Sequence, residues 1–503
     1  MRGALLVLAV VVGLGTVASL LVAWRRDTAS DGMRSELAVD LERGSLAGLA
    51  RAQARARHLI VADPDDLEAV AALAFASAVL AVDYGFDTAD EVHKLLARSP
   101  VASAHADAVV AMSAAARALL LLARGDRDGA ERVATAAAKI APGAPYPLYA
   151  LGRARARAGD LPGAARALEA ALIEAPGFTL AEVAWSETQL DAGEAQAARD
   201  TLSRTLARSG DDPRATLLLG EAERALGSDT PPDTSKVCAT STARRDDASP
   251  RWPPPVIRAA CHLAQATHDR SAGHRAQALT HAEEAARLVP AEPRLLAATA
   301  KLLAELGPVD WAAGLLGRAR RLAAAEAPAL AWAGAAVDLG RGRTPALPAG
   351  PRPADPETRL LMARIALSAG GVGALRAALK AFDENTMKRD ADLSLLAQLF
   401  VNDSSRDRAR DPRDTSGSLP SVGTTPPTDP WRAYLDGLRA ELAGNLPDAA
   451  ASFGRALSGH GDACRAAGEY LATLRLLKRP QDSAASGTLT VLRAENAGCV
   501  NLR

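Results

Sequence analysis

The sequence predicts an all-α protein: a solenoid of helix-turn-helix repeats preceded by one N-terminal transmembrane helix. Three observations predict it: a composition rich in Ala and Leu, a glycine that recurs at a constant step, and one long charge-free run near the start. Hydrophobic residues make up 48% of the chain but aromatics only 3%. The apolar fraction is therefore mostly Ala and Leu, which have high helix propensity, whereas a sheet would call for Val, Ile and aromatic residues. At 503 residues the chain exceeds the roughly 250–300 residues that one core usually serves, so it needs several domains or a repeat array. Lys+Arg and Asp+Glu balance at 59 each, so no global field recruits nucleic acid.

Residues 4–24 carry no charge and are bounded by Arg2 on one side and Trp24, Arg25 and Arg26 on the other. About 20 apolar residues span a bilayer core of roughly 30 Å, and Trp followed by Arg suits its interface. A cleaved signal peptide is the rival reading, with Val17-Ala18-Ser19 as a small-residue site, although such peptides have shorter apolar cores of about 7–15 residues. The expected anchor spans 1–26. Arg25, Arg26 and Arg34 lean weakly towards a cytoplasmic body. Four cysteines, Cys238, Cys261, Cys464 and Cys499, form two local candidate disulfides and lean towards an oxidising compartment. The periplasmic side is the favoured reading, with the cytoplasmic side as its alternative.

The period then fixes the register. Gly125, Gly159, Gly193 and Gly227 are evenly spaced, and Ala130, Ala164 and Ala198 keep the same step. So do Pro142 and Pro176. The step is about 34 residues, the length of one helix-turn-helix unit. A glycine at one phase permits the turn between two helices, a proline ends the second helix, and the small Ala lets helices approach closely. Within the unit 145–178, Leu148, Leu151, Gly152, Gly159, Ala164, Leu168, Ala171 and Pro176 resemble the signature of the tetratricopeptide repeat family. Arg155 stands where that family usually has an aromatic. Related positions return at Gly273, Ala278, Ala285 and Pro290, at Pro293, Ala300, Gly307 and Ala312, and at Pro430, Gly437, Gly444, Ala449, Phe453 and Ala456.

The resemblance implies a right-handed superhelical solenoid, an inner groove lined by the first helix of each pair, and protein or peptide partners. Carried onto this chain, it places Tyr146, Tyr149, Arg153 and Arg157 in the groove, followed by Glu187 and then Arg214 and Arg224. Tyr and Arg are the residue types that anchor interfaces. Stretches rich in Pro, Ser, Thr and charge divide the array into repeat blocks at 33–228, 256–402 and 430–503, with linkers at 229–255 and 403–429.

Catalytic signals are weak. His262, His268, His274 and His281 cluster beside Cys261, but steps of six, six and seven do not put them on one helix face, so they read as solvated. Gly370-Gly371-Val372-Gly373 lacks the lysine of a phosphate loop and falls where a repeat would turn. No cofactor and no enzyme activity are expected. Two functions stay open: a membrane-anchored interaction scaffold of the cell envelope, or an assembly or regulatory factor for a metal, glycan or small-molecule process that uses the His-rich repeat.

Overall fold

The computed structural model describes residues 30–98, 107–210, 212–226, 237–238, 254–271, 274–289, 291–325, 327–341, 343–349, 356–380, 382, 396, 430–442 and 445–456. The apolar run 4–24, the linker 403–429, and Cys464 and Cys499 lie outside them. Among the described residues every regular element is a helix. Two helices come first, α1 (30–43) and α2 (Leu46–Ala62). Pairs follow as α3 (Leu67–Tyr84) and α4 (Ala89–Arg98), α5 (Asp107–Ala123) and α6 (Arg127–Ile140), then α7 (Pro145–Ala158) and α8 (Leu161–Glu174). Next are α9 (Thr179–Asp191) with α10 (Ala195–Ser209), and α11 (Pro213–Leu226). Beyond them lie α12 (Pro255–Ser271) with α13 (Arg275–Leu288), and α14 (Pro293–Leu306) with α15 (Val309–Leu322). The last are α16 (Pro328–Gly340), α17 (Pro356–Lys380), and the pair α18 (Pro430–Leu442) and α19 (Leu446–Ala456).

Local chemistry explains the turns. Gly125, Gly159 and Gly193 have φ of 85°, 83° and 80°, a left-handed conformation that a side chain would strain. The next residue caps the second helix in two of the three: Asp126 and Asp160 each accept a hydrogen bond at 2.9 Å, from the amides of Gly129 and Gly163. Such caps satisfy amides that the helix itself leaves unpaired. Within pairs, small residues set the spacing. A Cβ on Gly152 would lie 2.5 Å from Leu168 Cγ, and one on Gly437 would lie 2.5 Å from Phe453 Cδ1. Each glycine therefore admits a large side chain from the second helix, at the same offset along the chain in both cases. Ala130, Ala134, Ala164, Ala171 and Ala198 are fully buried. Alanine and glycine seams thus let the two helices of a pair approach closely.

The described residues fall into two compact units. The first comprises those up to Ala156 together with Asp160–Trp185 and Thr201–Ala215; the second comprises Arg157–Gly159, Ser186–Asp200 and those from Thr216 onward. In the first unit α3 is the central helix. It is long and apolar enough to cross a membrane, yet 83% of it is buried inside the protein. In the second, Leu296, Leu303, Leu315, Leu316, Leu330, Leu361 and Ile365 form one core, and Leu375, Leu379, Tyr434 and Phe453 form another. One sequence expectation fails here. The backbone of Gly370–Gly373 is helical within α17 rather than a turn, because the buried Leu375 and Leu379 beyond it offset the cost of about 1 kcal/mol per helical glycine.

Candidate functional site

Tyr146, Tyr149, Arg153 and Arg214 belong to the first unit, and internal packing takes them up. Helix α3 contributes Phe75, whose ring centroid is 4.8 Å from that of Tyr146 and 6.4 Å from that of Tyr149. Phe178 closes the cluster edge-on to both tyrosines at 5.8 Å. Offset and edge-on arrangements of this kind suit the ring quadrupoles. Two turns further along the same helix Asp83, fully buried, faces the Arg153 guanidinium at 2.8 Å and the Arg214 guanidinium at 3.1 Å. Tyr149 donates its hydroxyl proton to the same carboxylate. A buried charge is tolerated only when paired and hydrogen-bonded, and here both arginines are themselves almost completely buried.

The start of the chain adds a second layer. Gly44, at φ 60°, stands where a Cβ would come within 2.8 Å of Leu180 Cγ. Asp212 caps α11 by accepting from the amides of Arg214 and Ala215 at 3.0 Å each. Its other oxygen accepts from the Leu46 amide and the Tyr84 hydroxyl, both at 3.4 Å. Burial raises the Asp212 pKa against the pull of these donors. Burial likewise pushes the phenols of Tyr84, Tyr146 and Tyr149 up, reinforced at Tyr84 by the charge of Asp212 and at Tyr149 by that of Asp83.

Arg157, Glu187 and Arg224 belong to the second unit. Arg157 is buried, and its carbonyl accepts from the Ala324 amide at 2.8 Å. Glu187 is buried near Arg294, while Arg224 is half-buried and donates to the Gly220 carbonyl at 3.3 Å. Arg294 organises this region. Its Nε lies 2.8 Å from Asp191, and its Nη1 donates to Glu221 at 3.0 Å. Burial opposes the guanidinium charge, but Glu221, Asp191 and Glu187 together hold its pKa well above the ordinary value. Asp191 itself is pushed up to about 6 by burial, against the pull of Arg294.

Sequence reading missed Phe75, Asp83, Asp212 and Arg294. Asp83 carried a legible signal: it is a lone charge near the end of an otherwise apolar helix whose only other charge is Glu68, so it required a buried partner. Arg155, out of pattern for the family, pairs its Nε with Glu131 at 3.0 Å in the preceding pair. Of the four clustered histidines, two come together: His262 on α12 and His281 on α13 have their Nδ1 atoms 3.2 Å apart. Among the described residues no three or more metal-ligating side chains converge. Cys238 and Cys261 are joined by a disulfide with a Cα separation of 5.5 Å.

No family model matches the chain, and no curated protein matches it. Solved structures with a related course include the anaphase-promoting complex hetero-tetramer Cut9-Hcn1. That match has a TM-score of 0.37 at 11% identity, over 91% of this chain and 86% of that one. The tetratricopeptide domain of P58(IPK) gives a TM-score of 0.21 at 12% identity, over 74% and 99%. Yeast Tom70 gives 0.28 at 10% identity, over 88% and 89%.

Proposed function

We propose that this chain is a protein–protein interaction scaffold of the cell envelope, anchored through residues 4–24 with its helical body on the periplasmic side. The repeat array supports the scaffold reading, because side-by-side helix pairs present a long surface in regular steps. Partners would meet side chains that internal packing leaves open. Ile140 and Ile173 are 53% and 71% exposed, and each stands at or next to the C-terminal end of a second helix in successive pairs. That stepped apolar pair carries the proposal. Tyr149, Arg153 and Arg214 would instead act as the internal frame behind it, and Arg224 stays available at the surface. The disulfide supports an oxidising compartment.

Photo-crosslinkers placed singly at positions 140, 173, 153 and 214 in membrane-bound protein test the surface. Crosslinks to one partner protein from 140 and 173 alone support it; crosslinks from 153 and 214 would return the partner to the inner face. Thiol labelling of intact cells tests the compartment. Cys238 and Cys261 should resist labelling until reduction, and free labelling would place the body in the cytoplasm. The facing histidine pair favours a second reading, an assembly or regulatory factor for a metal-dependent process.

A further inference from the structure

We infer that His262 and His281 form a surface site for a divalent transition-metal ion of borderline softness, such as Zn²⁺, Ni²⁺ or Cu²⁺. The inference stands apart from the scaffold reading and gives a place to the metal-linked one. It rests first on geometry. The two Nδ1 atoms face each other across the α12–α13 pair at 3.2 Å. A metal held about 2.0–2.1 Å from each nitrogen would see them at an angle of roughly 100–106°, close to tetrahedral. Both rings are partly exposed, so an ion can enter and water can fill the remaining positions.

A carboxylate stands near the far nitrogen of one ring. Asp269, buried on α12, has an oxygen 3.8 Å from His281 Nε2, and its other oxygen accepts from Gln265 at 3.0 Å. A carboxylate near the far nitrogen would favour a proton at Nε2 once Nδ1 holds a metal ion. Metal-ligating histidines are commonly oriented by a carboxylate in this way. Two charges act on the site from outside: Glu284, one turn beyond His281, favours a cation, and Arg258 opposes it. Cys261, next in sequence to His262, is committed to the disulfide and supplies no thiolate. Transition metals suit imidazole ligands, whereas Mg²⁺ and Ca²⁺ prefer oxygen, so the site discriminates between these classes. A bound ion would rivet α12 to α13.

Untagged protein titrated with Zn²⁺, and separately with Cu²⁺ while following nitrogen hyperfine structure by electron paramagnetic resonance, tests the site. One equivalent should bind, raise the melting temperature and show two nitrogen ligands. His262→Asn and His281→Asn should each abolish that binding while keeping the helical circular dichroism of the parent. Asp269→Asn should weaken it by about 10-fold, and His268→Asn should leave it unchanged. The site is overturned if no ion binds near neutral pH, if binding survives both single variants, or if Mg²⁺ binds equally well. A melting temperature that responds to pH but not to metal would make the pair a plain hydrogen bond and would also overturn it.

Discussion

In the first unit one carboxylate, Asp83, answers two arginines; in the second one guanidinium, Arg294, answers two carboxylates and sits near a third. The two arrangements use the same side-chain types and differ in solvation. Asp83, Arg153 and Arg214 have side chains 0%, 4% and 9% exposed, whereas Arg294, Asp191 and Glu221 have side chains 21%, 21% and 37% exposed. Water therefore screens the second network and leaves the first almost unscreened. A charge stranded in the first unit has no recourse, while one in the second can reach solvent. The difference teaches that one charge network lies in the core of its unit while the other keeps partial access to water.

Asp83→Ala strands two buried guanidinium groups and should cost the most, about 3–5 kcal/mol in urea denaturation. A shift no larger than that of Arg294→Met would break the comparison. Seam glycines come next: Gly152→Ala in the first unit and Gly437→Ala in the second drive a Cβ to 2.5 Å of a large side chain. Overpacking of this kind costs about 1–3 kcal/mol, and similar melting shifts in both would show that the units share one seam even where their charge networks differ. Arg294→Met should cost about 1–2 kcal/mol, because Asp191 and Glu221 keep some access to water.

The pH dependence of Asp191 sharpens the contrast further. Its folded pKa of about 6 lies above the usual 3.8, so the folded state binds the proton more tightly than the unfolded chain does. The contribution of this group therefore becomes more favourable as pH falls from above 6 towards 4. Denaturation of the parent and of Asp191→Asn at pH 7, 6 and 5 should show the parent gaining on the variant as pH falls. A constant difference would remove the raised pKa. The smallest effect is a gain: Gly317 lies within α15, and nothing stands within 4 Å of where its Cβ would be. Gly317→Ala should therefore stabilise by about 0.5–1 kcal/mol, as read by thermal melting.

The sequence by itself determined the helix pairs and their turns, because those depend on residues close along the chain. Gly159 with its left-handed φ, Asp160 capping the amide of Gly163 and Gly152 admitting Leu168 all act within one helix pair, and a constant period makes such local rules visible. What the inner side chains do was decided only by tertiary structure. Tyr146 and Arg153 look like an open groove until α3 brings Phe75 and Asp83 against them, and Tyr149 meets Asp83 from 66 residues away. His262 and His281 follow the same logic: their spacing along one helix gave no reason to join them, yet the α12–α13 pairing sets their nitrogens 3.2 Å apart across 19 residues. Periodicity reports which face of a helix is inward. What that face meets depends on helices distant in sequence, as Phe75 and Asp83 meet Tyr146 and Arg153, and no short stretch of sequence encodes it.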